Sequence, residues 1–138
     1  MKIAWVILAE GLGVDSKGAV TVIGVNQNLF ITPVLPAMTK RAILIHLVDD
    51  DGTLQPGDIV DFSVRLESPS GKVVAAVPGR FGVGSRPFED LPGSMDLPAE
   101  MAINVTEYGH YRFAVEVTGP RDLQLEAEVE LFAHEPPA

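Results

Sequence analysis

The densest group of chemistry-bearing residues in this chain is Asp49-Asp50-Asp51-Gly52, with Asp58 nearby. Carboxylates on a loop are the ligands that Ca²⁺ selects, because it takes six to eight oxygens. Asp49, Asp51 and Asp58 are therefore the candidate cation ligands. The spacing departs from the EF-hand loop: counted from Asp49, the position that needs a bidentate Glu is Val60. The other reading is conformational, since Asp favours turns and ends strands without any metal. Gly79-Arg80-Phe81-Gly82-Val83-Gly84-Ser85-Arg86 offers backbone N–H groups and two guanidiniums to an anion. No P-loop Lys-Ser/Thr follows it, and no helix start stands behind it, so a surface loop is the simpler reading. His46, His110 and His134 lie far apart in the sequence and form no readable catalytic set with a nucleophile. Glu126, Glu128 and Glu130 share one parity. They either attract a basic partner or keep a strand from pairing with other chains.

These residues need elements to hold them, and the periodicity names the elements. In Tyr111, Phe113, Val115 and Val117, apolar residues alternate with His110, Arg112, Ala114 and Glu116. That is the period-2 pattern of a strand with one buried face. Gly119-Pro120-Arg121-Asp122 reads as a turn, and Leu123 to Leu131 alternates again. The result is an antiparallel hairpin that needs a layer over its apolar face. Ile59 to Glu67 and Lys72 to Val77, joined by Ser68-Pro69-Ser70-Gly71, predict a second hairpin. The alternation predicts burial of Phe62, Val64, Phe113, Val115, Leu125 and Val129.

Lys2 to Ala9 is an apolar run too short to span a bilayer and lacks a small-residue cleavage site behind it, so it reads as a buried first strand. Glu10 to Gly18 reads as a loop, and Ala19 to Val25 as a strand that Leu29 to Thr32 continues after a bulge. Pro33 to Met38 breaks the pattern. Arg41 to Val48 is apolar on both parities, which places it centrally in a sheet. Ala99 to Thr106 alternates once more. Pro78 to Pro98, rich in Gly and Pro, reads as a long loop, functional or disordered. Eight or nine short strands with regular turn signals, and no convincing amphipathic helix, predict an all-β fold: an antiparallel, immunoglobulin-like β-sandwich spanning 1–138 as a single domain.

The opening strand with Asp15-Ser16-Lys17-Gly18 and Val22-Ile23-Gly24-Val25, the Asp51-Gly52 turn, and Gly109-His110-Tyr111-Arg112-Phe113 resemble a family of small, mostly actinobacterial β-sandwich proteins of unknown function. The resemblance implies the fold and carries no site residue. Gly109-x-Tyr111-x-Phe113 also recurs in unrelated immunoglobulin-like sandwiches, where a tyrosine bonds backbone across a corner.

Size and charge narrow the function. The 138 residues suffice for one self-sufficient core. There is no cysteine, which excludes disulfides, thiolate metal sites and a cysteine nucleophile and fits a cytoplasmic location. A net charge of −9 argues against nucleic acid and anionic membrane as partners. With no nucleophile, base and orienter to read, no enzyme and no cofactor is expected. The expectation is an interaction or structural module, an accessory piece of a larger assembly, with a small-ligand binder using the end loops as the alternative. Its partner is a protein or a second copy. The unprotected apolar run after Lys2 suggests a homodimer, with Trp5 or the stretch from Pro33 to Met38 near the contact.

Overall fold

In a computed structural model, which describes residues 1–86 and 88–138, the chain forms nine strands. They are β1 (Lys2–Val14), β2 (Val20–Val25), β3 (Leu29–Ile31), β4 (Ala37–Asp49), β5 (Ile59–Glu67), β6 (Val73–Gly82), β7 (Gly93–Val105), β8 (Gly109–Gly119) and β9 (Leu123–His134). Four make a sheet in the order β2-β1-β4-β7, entirely antiparallel. Five make a second sheet in the order β3-β9-β8-β5-β6, in which β3 runs parallel to β9. The second sheet is thus mixed, where the sequence predicted antiparallel pairing throughout. At the margins β1 lies beside β9 and β6 beside β7. Among the described residues no helix is long and apolar enough to cross a membrane.

Residues of both sheets form one core, and it follows the parity of the strands. Ile43, Ile45, Leu47, Leu97 and Ile103 face it from one sheet, and Val60, Phe62, Val64, Tyr111, Phe113 and Val115 from the other. Both predicted hairpins are present: β8 pairs β9, and β5 pairs β6. In the turn between β8 and β9, Arg121 and Asp122 both have positive φ, the backbone that matches the twist of paired strands. Leu125 and Val129 are half-buried instead of buried, because β9 is flanked on its far side by β3 only at its last residues. The Tyr111 hydroxyl donates to the Glu107 carbonyl at 2.9 Å and accepts from the Glu107 amide at 3.3 Å, pinning the corner that enters β8.

Three expectations are corrected. The loop predicted at 78–98 shrinks to 83–92, since β6 reaches Gly82 and β7 starts at Gly93. Its prolines misled because Pro78 and Pro98 sit on the outermost strands, where proline is tolerated since every second N–H points away from the sheet. Gly79 is a strand residue for a packing reason: the Phe62 ring lies on it, and an added Cβ would sit 2.3 Å from that ring. The loop predicted from Glu10 shrinks too, as β1 runs on to Val14 against β2. Finally, residues 29–31 do not continue β2 past a bulge. Asn26, with φ of 61°, turns the chain out of the first sheet, and β3 joins the other.

That switch is held by Arg41. It faces inward from β4 and is buried, and it donates to the carbonyls of Gln27, Leu29 and Lys40 and to the Thr39 hydroxyl. Its guanidinium also lies over the Phe30 ring, 5.9 Å from the centroid. Burial lowers its pKa from the ordinary arginine value.

Candidate functional site

β4 is central in its sheet, as its double apolar parity predicts, and only one of its faces is turned to the core. Ala9, Ala42 and Leu44 are buried without belonging to the core that both sheets form. They lie on the opposite, outward face. The register builds that face in rows: Trp5, His46 and Asp96; then Ile7, Leu44 and Pro98; then Val25, Ala9, Ala42 and Glu100. Ile23 continues it on β2 and Met38 on β4. Leu44, in the middle row, is 4% exposed, while Trp5 at 41%, Val25 at 49%, Ile23 at 55% and Met38 at 66% stand open around it. No other described strand lies over this surface. Exposed apolar side chains gathered on one sheet face, unlike singly scattered ones, mark a surface on which something docks.

The polar groups on the face are paired with one another. His46 Nδ1 is 2.7 Å from Asp96 Oδ1, and the His46 ring stacks on Trp5 with centroids 4.7 Å apart. Lys40 Nζ lies 3.5 Å from Glu100. A bulge between Ile3 and Trp5 brings the indole to the outward side. Of the residues expected at an interaction surface, Trp5 and Met38 fall on this one face. Pro33 lies in the exposed connection between β3 and β4, beyond its end. The edge argument that singled out Lys2 to Ala9 has a basis in the register: residues 2–8 of β1 pair with β4 alone, and β2 joins the other side of β1 only from Ala9 onward. His46 with Asp96 was not foreseen, because 50 positions separate them and only the β4–β7 register joins them. The usable signal was the second apolar parity of residues 41–48.

The carboxylates singled out as cation ligands are each engaged by a cation of the chain. Asp49, buried at the end of β4, accepts from the Thr53 and Leu54 amides and from Arg86, whose Nη2 is 2.5 Å away. Asp51 lies 2.7 Å from the Met1 amine and accepts from Thr53. Those bonds, the amine's first, hold Asp51 well below the usual carboxylate range, and the same contact raises the amine. Asp58 accepts from the Gln55 amide and from Arg121, which lower it from its ordinary value in that order. Among the described residues no group of three or more His, Asp or Glu is placed to hold a metal ion. Arg80 pairs with Asp61 across two strands and is raised by it, so neither guanidinium of the 79–86 stretch is left for an anion cradle. His110 and His134 flank the Phe132 ring on the other sheet, far from His46 in the fold.

Beside the Asp49–Arg86 pair a cavity of about 400 Å³ opens at one end of the molecule. Leu47, Leu54, Val83 and Met95 form its apolar wall, with Phe88 and Leu91 exposed beside it. Comparison of the chain with family models, with curated proteins and with solved structures finds no match.

Proposed function

We propose that this protein is a non-enzymatic interaction module, a piece of a larger assembly, that docks a protein partner through the outward face of β2, β1, β4 and β7. The observation that carries the reading is the second apolar layer, in which Leu44, Ala42 and Ala9 are buried and Trp5, Ile23, Val25 and Met38 stand exposed around them. Interfaces are built this way, with buried aliphatic centres ringed by an aromatic and paired polar groups. Against catalysis stands the chemistry of His46: it is bonded to Asp96 and stacked on Trp5, with no hydroxyl among its described partners. The scaffold we read as an immunoglobulin-like sandwich, related to the actinobacterial family that its sequence resembles. The Tyr111 to Glu107 bond supports this, because the same tyrosine corner recurs in such domains. The cysteine-free chain fits the cytoplasm.

A photo-crosslinking residue in place of Ile23 tests the docking face, with one in place of Arg65 on the other sheet as control. Discrete protein adducts from position 23 and none from 65 are expected. The reverse pattern, or no adduct from position 23, overturns the reading. The cavity beside Arg86 favours a second reading, a small-ligand binder at the end loops. A thermal-shift screen separates the two: a ligand that stabilises the wild type but not Met95→Trp would support it.

A further inference from the structure

The docking reading leaves open what sits on the face, and its charges narrow the choice. Outward charged residues on this sheet are Lys2, Lys40, Asp96 and Glu100, two of each sign, so the face is formally neutral with His46 neutral. The chain as a whole carries −9. The outward side of the other sheet carries Asp61, Glu67, Glu116, Glu126, Glu128 and Glu130 against Arg65, Arg80 and Arg112, a net of −3. A basic partner would be drawn to that second side. A second copy of this acidic chain would be repelled there and meets no such repulsion on the neutral face.

We infer that the occupant of the face is a second copy of this chain, packed face to face about a two-fold axis; this rests on the docking reading above. A two-fold contact lays the same patch on itself, so a patch that is apolar at its centre and internally charge-paired is already self-complementary. The size also fits. Four strands about 4.8 Å apart and about ten residues long at about 3.3 Å each give about 600 Å² of flat sheet. That approaches the about 800 Å² that each partner buries in a standard interface. Sheets stack face to face at an angle of about 30°, set by their twist. With that geometry Leu44 and Ile7 lie at the centre of the contact, and Trp5, Ile23 and Val25 close its rim.

Analytical ultracentrifugation of the full chain at micromolar concentration tests this, run on the wild type, on Ile23→Lys and on Glu128→Lys from the other sheet. The wild type and Glu128→Lys are expected at twice 14.8 kDa, and Ile23→Lys at 14.8 kDa with an unchanged far-ultraviolet spectrum. A wild-type monomer overturns the inference, as does a dimer that Ile23→Lys leaves intact and Glu128→Lys breaks. The crosslinker at position 23 tells which reading has failed. A monomer that yields a discrete adduct with a different protein removes the second copy and leaves the docking face. A monomer without any adduct removes both.

Discussion

The two sheets share one core and differ on their outer sides. On the β5–β8–β9 side, most outward residues are polar or charged, with Ile59, Ala114 and Phe132 the exceptions, and cations sit between carboxylates: Arg112 bonds Glu67 and lies 3.3 Å from Glu128. On the β1–β4–β7 side, the same alternation delivers Trp5, Ile7, Ala9, Ala42, Leu44 and Pro98. Water can cover the first side at little cost, because its groups are already solvated or paired. The second side loses free energy for each square ångström left wet. The contrast shows that a strand face turned to the core and one turned away from it carry the same mark, an apolar parity, and are told apart only by how the strands pair.

The largest expected effects test whether the outer layer packs like a core. Phe113→Ala, in the shared core, should cost about 3–5 kcal/mol in urea unfolding, and Leu44→Ala, on the outward side, about 2–5 kcal/mol. A cost for Leu44→Ala below about 1 kcal/mol would break the comparison, since the residue would then be no better packed than a surface side chain. Tyr111→Phe comes next: it removes the hydroxyl that satisfies the Glu107 carbonyl and should cost about 1–3 kcal/mol by the same measurement.

Acid sharpens the contrast from the charged side. Asp51 and Asp58 have folded-state values below their ordinary 3.8, so their contribution is present above 3.8 and is lost as the pH falls through the lower folded values. The thermal midpoint should fall in that window, and by less in Asp58→Asn. An identical fall in the variant would remove Asp58 from the account. Salt should tighten self-association through the neutral face, because it screens the repulsion between two chains of −9. Weakening by salt, read by ultracentrifugation, would point to an ionic contact instead. The smallest effect is expected for Glu128→Ala, whose exposed pairing with Arg112 should leave the urea midpoint within the scatter of the wild type.

Much of this was legible in the sequence where a rule is local. The hairpin of residues 109–134 and the strand at 59–67 follow from alternation and turn chemistry, and Phe62, Val64, Phe113 and Val115 are buried as their parity requires. What was illegible depends on where a strand sits among others. Pro78 and Pro98 look like breakers until their strands are known to be outermost. The pairs Asp49 with Arg86 and His46 with Asp96 join residues 37 and 50 positions apart, and no spacing rule reaches that far.

Arg41 gives the fold a seam with a defined order of opening. Its side chain, rooted in one sheet, grips the carbonyls of Gln27 and Leu29 just where the chain passes to the other. β3 is three residues long, and the Thr32 and Phe132 amides close its ends against His134 and Asn28. Besides that grip, the segment from 26 to 32 is held by the Gln27 amide on Leu8, the Asn28 side chain on Glu130, the Tyr108 hydroxyl on the Thr32 carbonyl and Phe30 against the core, all short-range ties at one margin. When they open, the far margin of the five-stranded sheet is left as a bare row of β9 backbone. In hydrogen exchange, the Phe132 and Thr32 amides should therefore open together as one unit, ahead of the amides of β8, and Arg41→Met should speed them both while leaving β8 unchanged.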